Sequence, residues 1–185
     1  MKILALSGSL RAASINSALL RAMTRLAPSG MEIVIFTGLG ELPLFNPDLE
    51  ADIPRQVAVL HDAVANADAM LIASPEYAHG VTGTIKNALD WLVSFEPFVG
   101  MHVAVLNASP RARHADAALH ETLRTMSAVI VEEASIALPL VGSGLSENGI
   151  LDSTDIAPAI VSALRALQDA LMPHPAGSHP SFPTT

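Results

Sequence analysis

A chain of 185 residues, half of them apolar and 15% charged, has material for one globular core and too little charge for a disordered chain. Its formal net charge of −8 offers no basic stripe to a nucleic-acid backbone, and the absence of cysteine excludes thiol-based phosphatases, dithiol reductases and cysteine zinc sites. No charge-free stretch reaches the roughly 18 residues of a membrane span, and the apolar run at the start is too short for a signal-peptide core, so the expected compartment is the cytoplasm.

The first predicted strand is Lys2–Ser7, followed by the hydroxyl-rich loop "GSLRAASIN" and a helical stripe of Leu19, Leu20, Met23 and Leu26. A second strand, Glu32–Phe36, leads into the long segment 38–54, which either covers a pocket or reaches across a dimer. Val57, Leu60 and Val64 mark the next helix. The third strand, Ala69–Ala73, gives way to "SPEYAHGVTG" and then a stripe of Ile85, Leu89 and Leu92. A fourth strand, His102–Leu106, precedes "NASPRARH" and a stripe of Leu119, Leu123 and Met126. The fifth strand is expected over Val129–Ala134, and a last helix runs through Ile156, Ile160, Leu164, Leu167 and Leu171. The residues after Met172, "PHPAGSHPSFPTT", show no periodicity and read as a flexible Pro-rich tail or an arm on a partner subunit. The expected division is one domain over 1–172 and a tail over 173–185.

Five such β–α units with nearly continuous apolar strands predict an α/β fold, a doubly wound parallel sheet covered on both faces. In such sheets the loops after the strands converge on one edge, where ligands bind. The first loop lacks G-x-G-x-x-G and G-x-x-x-x-G-K-[ST], and "FTGLG" offers no acid to a dinucleotide ribose. What remains is serine, asparagine and one arginine at a helix start, a setting able to hold a terminal phosphate. The plainer alternative is that Asn16 is an N-cap and the serines are ordinary loop residues. In the second loop Pro75 fixes a turn, glycines permit close approach, and main-chain groups of Glu76–His79 with the Tyr77 ring suit a flat heteroaromatic. Lys86 and Asp90 form a same-face pair, and Trp91 and Leu92 belong to the core or a subunit interface. His120-Glu121 begins a zinc-protease motif, but Arg124 replaces its second histidine, and no G-x-S-x-G elbow occurs.

Taken together, "GSLRAASIN" and "SPEYAHGVTGTIKNALDWL" resemble the NADPH-dependent FMN reductase family, with its chromate, quinone and azo-dye reductase relatives, in order and spacing through the fifth strand. The resemblance implies a flavodoxin-like five-stranded sheet of order 2-1-3-4-5 and a homodimer or homotetramer. It implies FMN with its phosphate held by Ser9, Arg11, Ser14, the backbone of Ile15, and Asn16. Ring contacts would come from Pro75, Glu76, Tyr77 and Ala78, with Ser109 of the third loop near the ring. Two departures stand out: Ala78 where the family commonly has Asn, and Arg111, Arg113 and His114 where relatives often carry glycines. These arginines either attract an anionic substrate or the NADPH phosphate, or are surface charge.

The implied activity is hydride transfer from NADPH or NADH to bound FMN and then to a small acceptor: a quinone, flavin, azo dye or metal oxyanion. No catalytic acid or base and no metal is required of the protein. The alternative is a flavodoxin-type electron carrier without NAD(P)H turnover. Its phosphate loops usually read Thr-x-Thr-Gly-Asn-Thr without arginine, so Arg11 counts against it. A third reading keeps the fold but binds another phosphorylated ligand or only a protein partner.

Overall fold

Strands built of Leu, Ile, Val, Met and Ala have nothing polar to show to water, so both their faces must be covered. The computed structural model describes residues 1–172, and the tail expected over 173–185 lies outside the described residues. Among the described residues the strands are β1 (Lys2–Ser7), β2 (Glu32–Phe36), β3 (Ala69–Ala73), β4 (His102–Asn107), β5 (Val129–Ile130) and β6 (Ile136–Ala137). All pair in parallel, in the flavodoxin-like order β2-β1-β3-β4-β5, with β6 also on β4.

The helices are α1 (Ile15–Leu26), α2 (Arg55–Ala65), α3 (Gly83–Asp90), α4 (Arg113–Thr125), α5 (Glu147–Leu151) and α6 (Ile156–Leu171). None is long and apolar enough to cross a membrane. Alternation along β1 divides them between two layers. Ile3 and Ala5 pack with Leu19, Leu20 and Met23 of α1 and Ile160, Leu164 and Leu167 of α6. Leu4 and Leu6 pack with Val57 and Leu60 of α2, Ile85 and Leu89 of α3, and Leu119 and Leu123 of α4. Leu19, Leu20 and Leu60 are 0% exposed. Burial of each such side chain contributes roughly 1.5–3 kcal/mol.

The edge of the sheet departs from expectation. Instead of one strand over 129–134, the chain leaves after Ile130, makes a 3-10 turn over Glu132–Ala134 and returns as β6. Val131 N–H still donates to the Val103 carbonyl, and Leu138 N–H to that of Asn107. Between them a side chain replaces a rung of the ladder: Ser135 Oγ accepts from Val105 N–H at 3.0 Å and donates to the Val131 carbonyl at 3.0 Å. A broken, acidic edge is also a poor template for pairing with another chain. The short α5 was not expected either. Arg21 and Arg25 of α1 hold its Glu147, Arg21 at 2.7 Å, and the Arg21 hydrogen bond foremost keeps that carboxyl below its ordinary pKa.

Because β1 lies between β2 and β3, successive crossovers leave it in opposite directions and open a crevice at the strand ends. Ser7 stands beside Ala73, and Ala73 beside Leu106. Gly8, Ser74 and Asn107 therefore leave the sheet side by side, and Gly8 N–H donates to the Ala73 carbonyl at 2.8 Å.

Candidate functional site

The first loop is tied into one unit before α1 begins. Ser7 and Ser17 hydroxyls share a hydrogen bond at 2.8 Å, and Ser7 Oγ also donates to the Ser9 carbonyl at 3.3 Å. Ser14, not Asn16, is the N-cap: its Oγ accepts from Ser17 N–H at 3.4 Å, and its carbonyl from Ala18 N–H at 2.9 Å. The N–H groups of Ile15 and Asn16 are left without an acceptor among the described residues, as first-turn donors are unless something caps them. Asn16 is only 3% exposed, and its Oδ1 has no hydrogen-bond partner. Such an atom costs roughly 1–3 kcal/mol when nothing meets it. Half a turn of the amide replaces that oxygen with a donor of the same shape.

The second loop turns back on itself. Gly80 N–H donates to the Tyr77 carbonyl at 2.9 Å, and Tyr77 N–H to the Gly80 carbonyl at 3.2 Å. The two residues between, Ala78 and His79, have φ of 48° and 58°, the left-handed pair of a type I′ turn. Ala78 thus sits at an exposed apex. Two contacts tie this loop to α4: Glu76 Oε2 accepts from Ala115 N–H at 2.9 Å, and the His79 ring stacks on His114 with centroids 4.4 Å apart. Buried Thr82 caps α3 through Ile85 N–H and lies 3.3 Å from Ser74 Oγ. Downstream, Lys86 and Asp90 form the expected pair, and Trp91 and Leu92 are buried.

Asn107 organises the third loop. Its Oδ1 accepts from Ser109 N–H at 2.9 Å, and its Nδ2 donates to the Ala112 carbonyl at 3.1 Å and reaches Asp116 at 3.4 Å. The segment after β6 returns here as well, with Leu140 and Val141 N–H donating to the Ala108 carbonyl.

Between the three loops lies a cavity of about 380 Å³, within the usual range for a small-molecule site. Ser9, Arg11, Ser14, Ile15 and Asn16 line one end. Pro75, Glu76 and Tyr77 line it from the second loop, and Ser109 from the third. Ala78 does not line it. Ser74, Asn107, Ala108, Arg111, Ala112 and Val141 also line it, beyond the ten site residues that the sequence singled out. Asn107 had a legible signal, an Asx residue at a strand end two places before the N–H it accepts from. Val141 had none. The long loop is absent from the lining. Asn87 and Trp91 pin it to α3, both donating to the Pro43 carbonyl, at 3.0 and 2.9 Å.

Known sequences and structures are similar to this chain. The family described as NADPH-dependent FMN reductase matches residues 1–141. An NAD(P)H-dependent FMN reductase of Pseudomonas aeruginosa is 40% identical over 112 residues, covering 59% of this chain and 60% of that protein. A quinone reductase of Escherichia coli K12 is 32% identical over 113 residues, with the same 59% and 60% coverage. The chain thus spans 60% of the length of these curated relatives. A flavoenzyme NAD(P)H:(acceptor) oxidoreductase from Paracoccus denitrificans superposes with a TM-score of 0.78 at 28% identity, over 92% of this chain and 96% of that one. With the match running through all three strand-end loops, this chain belongs to the NADPH-dependent FMN reductase family.

Proposed function

We propose that the cavity holds FMN and that the chain is an FMN-dependent NAD(P)H oxidoreductase acting on small acceptors, quinones first. The observation that carries this reading is the anion cradle at the start of α1. Ile15 and Asn16 N–H lack acceptors, the buried Asn16 amide has an unpartnered atom, and Arg11 makes no ion pair among the described residues. A doubly charged phosphate monoester supplies the acceptor that the two N–H groups and the guanidinium lack, and that the Asn16 amide meets once it is turned to present its Nδ2. Bound there, FMN would supply hydride acceptance from NAD(P)H and electron delivery to a second substrate.

The protein's share is binding and orientation. Tyr77 N–H is engaged by the Gly80 carbonyl, whereas those of Glu76, Ala78 and His79 have no acceptor among the described residues. Of these Glu76 lines the cavity, and its N–H is the donor available to the polar edge of a flavin ring, where negative charge develops on reduction. Pro75, Tyr77 and Val141 supply the apolar flank, and Ser109 a hydroxyl beside it. Ala78 contributes at most its main chain. Flavins, azo dyes and metal oxyanions complete the acceptor class that the family resemblance implies. Leu44, 82% exposed on the pinned loop, offers an apolar contact to the proposed dimer or tetramer.

Fluorescence titration with FMN and riboflavin tests the cradle. Arg11→Ala should weaken FMN binding by about 2 kcal/mol, roughly 30-fold, and leave the weaker riboflavin affinity unchanged. Equal affinity of the parent protein for the two flavins would overturn the placement of the phosphate.

A further inference from the structure

Two arginines of the third loop have no partner among the described residues. Arg111 lines the cavity and Arg113 opens α4; both are exposed, and neither makes an ion pair among the described residues. Among the described residues four of the ten cations pair, Arg21 and Arg25 with Glu147, Lys86 with Asp90 and Arg124 with Glu132; of the unpaired ones only Arg11 and Arg111 line the cavity. The carboxylates beside the third loop are engaged by other groups. Glu76 accepts from Ala115 N–H, and Asp116 faces Asn107 Nδ2 and His120.

Their backbone placement is fixed by two successive turns. Ala112 N–H closes on the Ser109 carbonyl at 2.8 Å with Pro110 in the second place. Arg113 N–H then closes on the Arg111 carbonyl at 3.0 Å around Ala112, whose φ of −81° and ψ of 65° make an inverse γ-turn. Asn107 anchors the first turn at both ends. The position is also unfavourable for the fold. A helix start carries partial positive charge, so a cation in its first turn is destabilising, and Arg113 is the first residue of α4. Arg113 is thus held against the helix dipole directly after Arg111 and Ala112, which line the cavity, on a chain of net charge −8.

We propose that Arg111 and Arg113 form a second anion site on the cavity rim, separate from the first-loop cradle. It takes a phosphate, sulfonate or carboxylate group on the molecule that exchanges electrons with the flavin. The guanidinium fork suits such oxyanions, and His114, the residue after Arg113, stacks its imidazole on His79 of the second loop. The identity of that molecule rests on the oxidoreductase reading; the existence of the anion site does not. The anion has two sources, the 2′-phosphate of NADPH or a charged acceptor.

The test uses the FMN-loaded parent and the Arg111→Ala/Arg113→Ala variant. Both positions are exposed, so the variant should fold, with a thermal midpoint equal to or above the parent's. The kcat/KM ratio of NADPH to NADH should fall by about tenfold or more if the 2′-phosphate is the ligand. The ratio of anthraquinone-2-sulfonate to menadione should fall similarly if the acceptor carries the charge. Calorimetric titration of the protein as isolated with 2′,5′-ADP and with anthraquinone-2-sulfonate gives a readout without turnover: one of them should bind the parent, more weakly in high salt and in the variant. Unchanged ratios together with titrations that do not distinguish parent from variant would overturn the site. If no nicotinamide nucleotide reduces the flavin, the oxidoreductase reading fails, and the titrations alone decide the anion site.

Discussion

Replacing Gly8 with alanine probes the contact on which the site is built, the meeting of the first and second loops at the strand ends. A Cβ on Gly8 would stand 2.4 Å from Ser74 Oγ, 2.7 Å from Ser74 Cβ and 2.9 Å from Ile85 Cγ1, where ordinary contact begins at 3.4 Å. The Ser74 hydroxyl can rotate away only by giving up its contact with Thr82 Oγ1. Ser74 Cβ and the Ile85 branch move only if the end of β3 or α3 moves with them. Gly8 cannot slide aside, because its N–H is bonded to the Ala73 carbonyl. Overpacking of this kind costs roughly 1–3 kcal/mol. In a chain of this size that lowers the thermal midpoint by roughly 3–10 °C. Calorimetry and urea denaturation measure it. Ser74→Gly removes two of the three clashes, so the double-mutant cycle should show a favourable coupling of about 1 kcal/mol. A loss below about 0.5 kcal/mol with an additive cycle would refute the close approach.

Three further substitutions address single features of the fold. Ala78→Asn should stabilise the protein by roughly 0.5–1 kcal/mol, because asparagine tolerates the left-handed backbone that alanine adopts there only with strain; an unchanged midpoint contradicts the type I′ turn. Ser135→Ala removes the only acceptor of Val105 N–H among the described residues and should cost roughly 1–3 kcal/mol, with faster hydrogen exchange at that amide. Glu147 has a lowered pKa in the folded state, so its contribution is present above the ordinary carboxylate range and is lost as pH falls through the lowered value. Glu147→Gln should therefore flatten the acid side of the midpoint–pH profile by a small amount, since the pair is exposed; a profile parallel to the parent's contradicts the assignment.

The central strands were legible because their burial leaves no other choice. A run such as Ala69-Met70-Leu71-Ile72-Ala73 is stable only with both faces covered, and that requirement, repeated down the chain, dictates a parallel sheet and so the edge where its loops converge. The outer edge was harder to read. Val129-Ile130-Val131 looks like the start of a longer strand, yet the rung that Ser135 replaces is a hydrogen bond to β4, about thirty residues earlier, which no local pattern records. The five residues of α5 are too few for a periodic stripe, and Arg21 holds them from a distant helix. Ser14 and Asn16 are both good caps; the choice between them falls to the start of α1 that the Ser7–Ser17 contact sets. Ala-His carries none of the Asn-Gly chemistry of a type I′ turn, so the reversal that lifts Ala78 out of the lining left no mark in the sequence.

The most direct measurement mixes FMN-loaded protein with NADPH in the absence of oxygen and follows the absorbance of the oxidised flavin. An NAD(P)H oxidoreductase should bleach it rapidly, faster than free FMN under the same conditions. Flavin that binds tightly but stays yellow with NADPH and with NADH would contradict that activity and favour an electron carrier on the same fold.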